Sequence, residues 1–320
     1  MYLPMVVGVD GSESSLRAVH WAADEAALHG VPLRIVHAYR WDRYEGASLA
    51  RELGKPSGHV TSDDILVVAT RRARRHHPDL AVTTAAVTEE PEYVLLREAR
   101  NASAVIVGTR GRGELADLLL GSVSLAVATT ADCPVIVIRE NHDNRAAGGR
   151  RGRIVVGVAD APTAAVRFAY EETRRRGAAL DAVRAWRCPT HDTVDHPLVA
   201  DTPERVHEER AAKELEAALA DAPADVRLHR HTAEGPARRV LLTASHEADL
   251  LVLGRRRPGQ FGHRLGRVAH TLLHHAACPV AVVPDTERPP GDAARDDRRE
   301  TGDRPALRAP PVGPWARPTS

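Results

Sequence analysis

The chain has 320 residues, 43% of them hydrophobic and 27% charged, and a formal net charge of +1. Its length suits two domains of ordinary size, and its near-neutral charge argues against a nucleic-acid partner, because a duplex binder shows a basic excess. No apolar run reaches the ~18 residues that a membrane helix needs, and no charged leader precedes a long apolar core, so the expected setting is cytoplasmic, away from membranes.

In chain order, "MVVGVD" (Met5 to Asp10) reads as a first strand. "SSLRAVHWAADEAALHG" follows as an amphipathic helix: Leu16, Val19, Ala23, Ala26 and Ala27 recur at helical spacing, and Gly30 marks its end. "PLRIVHAY" is the second strand, Arg40 to Val60 a variable polar stretch, and a helix begins near Ser62. "LAVTTAAV", "PEYVLLREAR" and "AVIVG" read as strand, helix and strand; a further helix starts near Gly121, and "PVIVI" closes the unit. The basic runs "RRARRHH" (Arg71 to His77) and "RRR" (Arg174 to Arg176) read as solvated helix faces. Cys133 and Cys278, each before a proline, read as buried small hydrophobes rather than a disulfide.

The same order then returns. Gly157 aligns with Gly8, Trp186 with Trp41, Gly254 with Gly108 and Cys278 with Cys133 at a nearly constant offset, the mark of tandem copies of one domain. The two tryptophans fall just beyond their second strands, where they read as edge packing. Strands alternating with helices imply parallel βαβ units with right-handed crossovers and helices on both faces. The expected fold is α/β: two tandem Rossmann-like domains, residues 1–140 and 153–284, each a five-stranded parallel sheet flanked by helices. A polar, glycine-containing linker (141–152) joins them, and a Pro-, Asp- and Arg-rich tail (285–320) has too little to bury to be ordered.

The stretch "GTRGRGELADLLLGS" (Gly108 to Ser122) concentrates backbone freedom in one connection. In an open parallel sheet, ligands bind beyond the carboxyl ends of the strands, where strand order reverses. With the first strand beside the fourth, the loops after Val9 and Gly108 share one crevice. Glycines 108, 111 and 113 permit positive φ and close approach of peptide N–H groups, and Gly121-Ser122-Val123 opens a helix whose unpaired N–H groups and dipole favour an anion. A polyphosphate suits both features, with the Ser122 and Ser124 hydroxyls and Arg110 or Arg112 as further donors. Taken singly, Ser122 also serves as a cap and Gly108 as a tight turn; the spacing Gly108-x2-Gly111-x9-Gly121-Ser122 is what places them on one loop.

Other motifs compete poorly. "GRGELA" matches a dinucleotide fingerprint but follows the fourth strand and lacks its acidic partner, and no Walker A sequence is present. No His/Cys set has zinc-site spacing, "HRH" (His229 to His231) included, so no metal site is expected. Neither a nucleophile–base pair nor a carboxylate-held magnesium site can be read, so no catalytic residue is assigned.

The segments "VVGVDGS" (Val6 to Ser12), "VIVGTRGRG" (Val105 to Gly113) and "LLLGSVSLAVATTADCPVIVI" (Leu118 to Ile138) resemble the universal stress protein family, and the G-x2-G-x9-G-[ST] spacing resembles its ATP-binding branch. The resemblance covers roughly residues 1 to 284, as tandem adenine nucleotide α-hydrolase-like domains. It implies ATP, with or without Mg2+, as the cofactor of a non-enzymatic regulator or stress-linked switch. It also implies an internal pseudo-dimer or a homodimer, acting on an unknown protein partner. On that pattern Asp10 lies by the adenosine and the backbone near Ala38 faces adenine, while Gly108, Gly111, Gly121, Ser122 and Val123 line ribose and phosphates. For Asp10, an Asx-type turn or helix cap with Gly11 and Ser12 is the competing role. The second copy departs: Ala159 stands where the first has Asp10, Arg257 replaces the second glycine and Arg267 the serine. That copy is expected to bind ATP weakly or not at all, since an arginine removes φ freedom and adds bulk. Two further readings stay open on the sequence. One is a nucleotide-free interaction module. The other is an ATP-hydrolysing enzyme of the related nucleotide α-hydrolase superfamily, whose Ser-Gly-Gly-type loop "DGSES" lacks; slow hydrolysis of bound ATP stays open as well.

Overall fold

The computed structural model describes residues 3–39, 47–56, 59–109, 120–139, 151–159, 163–188, 203–255 and 265–285. Gly111 and most of the glycine-rich loop, nearly all of the expected linker, Trp41, and the tail after Asp285 lie outside the described residues.

The first half runs β1 (Met5–Val9), α1 (Glu13–His29), β2 (Leu33–Ala38), α2 (Ala47–Leu53), α3 (Ser62–Arg74), β3 (Val82–Val87), α4 (Pro91–Ala99), β4 (Ala104–Gly108), α5 (Ser122–Thr130) and β5 (Val135–Ile138). The second half repeats the plan as β6 (Arg153–Gly157), α6 (Ala164–Arg176), β7 (Ala179–Trp186), α7 (Pro203–Ala218), β8 (Arg227–Glu234), α8 (Ala237–Ser245), β9 (Leu250–Arg255), α9 (Arg267–His275) and β10 (Val280–Pro284). Helix α1 forms where its caps dictate: Ser12 Oγ accepts from the Ser15 N–H, and Gly30 closes the helix in the left-handed conformation, φ 64°. Helix α2 falls inside the stretch expected to be variable and polar; it seats Leu49 and Ala50 in the core, too few apolar positions for a readable period. Trp186 ends β7 and pairs with Glu234, so it lies within the strand rather than beyond it.

Both halves are five-stranded parallel sheets, ordered β3-β2-β1-β4-β5 and β10-β9-β6-β7-β8. Strands β5 and β10 pair antiparallel, Val280 opposite Val137 and Val282 opposite Val135, so one ten-stranded sheet runs through both copies. The reason is in the residues: "VIVI" and "VAVVP" are buried along their whole length, and such an apolar edge would be sticky if left open. Each copy covers the other's edge. One hydrophobic cluster lies on each face of the sheet, and both clusters draw on both halves. Cys133 and Cys278 are buried free thiols in one of them, and burial pushes each thiol up to about 12.

Across the seam α1 meets α6 through a buried ionic cluster. Arg176 Nη2 lies 2.6 and 2.5 Å from the two Glu25 oxygens and 3.1 Å from Glu172 Oε2, with its guanidinium 5.7 Å from the Trp21 ring. His29 Nε2 sits 2.9 Å from Glu172 Oε1 and 3.2 Å from Glu25 Oε1. Burial opposes ionisation of Glu25, but the Arg176 charge and the His29 ring outweigh it and hold the carboxyl low, at about 2. Burial, reinforced by the neighbouring Glu25 carboxylate, pushes Glu172 up to about 7. Burial disfavours the charged His29 ring, yet the two carboxylates raise it to about 9. Arg176 is therefore a seam residue and not part of a solvated face. Arg72 is likewise ion-paired, to Glu13 and Glu52.

Candidate functional site

Strands β1 and β4 are neighbours, so the order reverses between them and the crevice anticipated from the sequence exists. At its rim stand the last residues of three parallel strands: Val9 of β1 leading to Asp10, Ala38 of β2, and Gly108 of β4. The register Val9 opposite His37 and Gly108 opposite Ile138 brings these ends to one edge of the sheet. His37 supports the rim from below: it is buried, its Nδ1 is 2.8 Å from the Val9 carbonyl, and its ring stacks on Tyr39. The cavity of about 590 Å³ lined by Met5, His29, Ala104 and Phe168 opens at the opposite edge of the sheet and is not this crevice.

Asp10 takes the local role that competed with ligand contact. Its Oδ1 accepts from the Ser12 N–H at 3.0 Å and from the Ser12 hydroxyl at 2.6 Å, which aims Ser12 Oγ at the Ser15 N–H and starts α1. Its other oxygen has no hydrogen-bond partner among the described residues. Gly108 is glycine for a reason different from the one expected. Its φ is not in the left-handed region. A Cβ there would meet Ser14 Oγ at 2.5 Å and the Ser14 backbone at 2.9 Å. The start of α1 presses directly on the end of β4, and only a bare backbone fits.

Helix α5 begins at Gly121, φ −63°, with no side-chain cap. The first N–H bonded in the helical pattern is that of Leu125, to the Gly121 carbonyl, so the N–H groups of Ser122, Val123 and Ser124 have no acceptor among the described residues. Ser122 is exposed and Val123 half-buried. Ser124 is not a ligand donor: its buried hydroxyl donates to the Gly108 carbonyl at 2.6 Å and pins α5 to β4. The ends of the glycine-rich loop are tied together, with the Gly121 N–H donating to the Thr109 carbonyl. An uncapped helix start beside a strand-end crevice is a place for an anion.

Two second-half residues hold this helix, and neither contact is legible in the sequence. Arg255, at the end of β9, donates to the carbonyls of Thr129 and Ala131 at 2.6 and 2.5 Å, placing a cation at the carboxyl end of α5. The Leu120 N–H, one residue before the cap, donates to His274 Nδ1 at 3.1 Å. Both contacts depend on the β5–β10 pairing, which no spacing within one copy reveals. The equivalent edge of the second half shares the uncapped helix start, at Gly266, but differs around it. Gly254 has ordinary contact distance around it, 3.6 Å from a Cβ to Ala165. Arg267 occupies the first position of α9 and is exposed, and Asp285 Oδ1 accepts from the Ala164 N–H at the start of α6. Residues 256–264, with Arg257, lie outside the described residues.

A family model described as the universal stress protein family matches residues 1–139 and again 150–284. A universal stress protein of Mycolicibacterium smegmatis is 31% identical over 290 residues, covering 87% of this chain and 96% of that protein. One from Mycobacterium tuberculosis is 30% identical over 292 residues, covering 88% and 96%. Among solved structures, a universal stress protein from Archaeoglobus fulgidus matches with a TM-score of 0.62 at 17% identity, covering 88% of this chain and 98% of that one, a likeness of fold. The sequence repeat, the paired parallel sheets and the two matched segments lead to one conclusion: the chain belongs to the universal stress protein family, as a tandem member.

Proposed function

We propose that the chain is an ATP-binding, non-catalytic regulator of a stress response in the cytoplasm, with one nucleotide held by the first half. The observation that carries this reading is the uncapped start of α5, whose Ser122, Val123 and Ser124 N–H groups lack acceptors beside the β1/β4 crevice. Phosphates would sit on those groups and on the loop containing Gly111. The adenosine would extend toward the rim formed by Asp10 and Ala38, and Gly108 would let the triphosphate pass close to the strand end. The two His/Asp/Glu clusters among the described residues lie elsewhere, so Mg2+ would arrive on the nucleotide's own phosphates. Membership of the family supports the regulatory, non-enzymatic part of this reading.

Titration of the full chain with ATP in a calorimeter, with ADP, AMP and phosphate followed afterwards, tests the reading. One site per chain and no turnover on the timescale of binding supports it. Steady release of AMP and pyrophosphate moves the chain to the enzymes of the related superfamily, and absence of any binding leaves a nucleotide-free interaction module.

A further inference from the structure

Outside the crevice, the second half carries a cluster that the first half does not. Strands β7 and β8 place Asp181 directly opposite His229, and His231, two residues on, points to the same face of the sheet. His229 Nδ1 is 2.9 Å and His231 Nε2 3.7 Å from Asp181 Oδ1, and the three donor atoms all lie within 4.8 Å of one another. The other carboxylate oxygen is taken: Arg153 Nη1 donates to Asp181 Oδ2 at 2.9 Å and so presents Oδ1 to the imidazoles. Asp181 is 6% exposed, whereas His229 and His231 are 46% and 52% exposed, so the cluster has a fixed anionic floor and an open mouth.

The same places in the first half show what an ordinary solution looks like. Register puts Arg34 where Asp181 stands, with Thr83 opposite it and Ala85 two residues on. Arg34 forms a two-pronged ion pair with Glu98 of α4, at 2.7 and 3.0 Å. The second half replaces that ion pair with two imidazoles and a carboxylate.

We infer that Asp181, His229 and His231 form a binding site for a divalent transition metal ion of the zinc class. Two imidazole nitrogens and one carboxylate oxygen are donors that suit such an ion, and three protein ligands leave a fourth position for water. Bond lengths of about 2.0–2.1 Å set the ligand atoms of a tetrahedral ion roughly 3.3 Å apart, a separation that the observed 2.9 and 3.7 Å bracket. On binding, His229 takes the tautomer with its proton on Nε2, facing solvent, and any proton shared with Asp181 leaves to water. Arg153 supplies the outer hydrogen bond that orients the carboxylate, and its charge keeps the site from being among the tightest. The ion would clip the edge strand β8 to β7. Sequence spacing does not reveal this site, because the ligand that completes "HRH" comes from a neighbouring strand.

The test uses the full chain, stripped with a chelator and titrated with Zn2+ alone at pH 7.5. One Zn2+ per chain is expected at this site, with affinity falling at least tenfold in His229→Ala and again in His231→Ala, and unchanged in His76→Ala. Both substituted side chains are half-exposed, and circular dichroism checks that the variants fold. Co2+ should give the intense visible bands of a four-coordinate ion with the parent chain and lose them in the double variant. Zn2+ binding that survives the double variant intact, or no binding by the parent chain, overturns the inference; so does binding that disappears with His29→Gln, which would place the ion at the seam.

Discussion

The two halves share a plan but differ where their strands end. In the first, Gly108 is pressed against Ser14 and Ser124 ties α5 to β4, while the helix start without a side-chain cap is common to both halves, at Gly121 and at Gly266. In the second, Gly254 has room around it, the residue after it is an arginine that reaches into the other half, and Asp285 already sits at the start of α6. Arg255 takes the position that Thr109 has in the first half, where Thr109 closes the glycine-rich loop locally. The comparison teaches that duplication has divided labour. In one copy the position closes its own loop, and in the other it reaches across to hold α5 of the first.

The seam carries the largest expected effect. Arg176→Leu leaves the buried Glu25 and Glu172 with His29 as their one remaining cation among the described residues, and unfolding by urea should show a loss of about 3–5 kcal/mol. A loss under about 1 kcal/mol would mean that the halves do not depend on the cluster. Next comes a paired substitution that breaks the comparison at its centre. Gly108→Ala should cost about 1–3 kcal/mol, because its methyl group meets backbone. Gly254→Ala should be neutral or stabilise by up to about 1 kcal/mol, since the site has room and alanine narrows the unfolded ensemble. Equal costs at the two positions would contradict the packing difference.

A smaller effect is in the pH dependence. Glu172 is raised from 4.5 to about 7, so the folded chain holds its proton more tightly and stability falls as pH rises through that window. The His29 contribution is fully present below 6.5 and is lost as pH rises through about 9. Glu25 acts in the opposite sense, its contribution being present above 4.5 and lost only as pH falls toward 2. Glu172→Gln removes the first of these, so the decline of stability between pH 5 and 7, at most roughly 1.4 kcal/mol per pH unit, should flatten in that variant. An unchanged slope would show that Glu172 does not exchange its proton in this range.

Much of the architecture was legible because it rests on local signals. The buried runs of β1, β4 and β5 are apolar throughout, α1 carries both of its caps, and the repeat fixes the second half once the first is read. Strand ends at Val9, just before Asp10, and at Ala38 and Gly108 followed from the same pattern, as did the start of α5 after Gly121. What stayed hidden depends on distant pairing. The basic run ending at Arg176 looks like a solvated face until α1 is laid against it, and Arg255 and His274 gain their partners only when β5 meets β10. Gly108 was read for its φ when its cause is a neighbour's backbone. Helix α2 carries too few apolar positions to announce itself.

The central claim is that the first half binds ATP and the second does not. Calorimetric titration with ATP of the full chain, of Gly111→Arg and of Arg257→Gly tests it most directly, because the two variants exchange the feature that separates the loops. One site in the parent chain, none in Gly111→Arg and one in Arg257→Gly is the predicted result. Two sites in the parent chain, or a single site that survives Gly111→Arg, would contradict the division of labour.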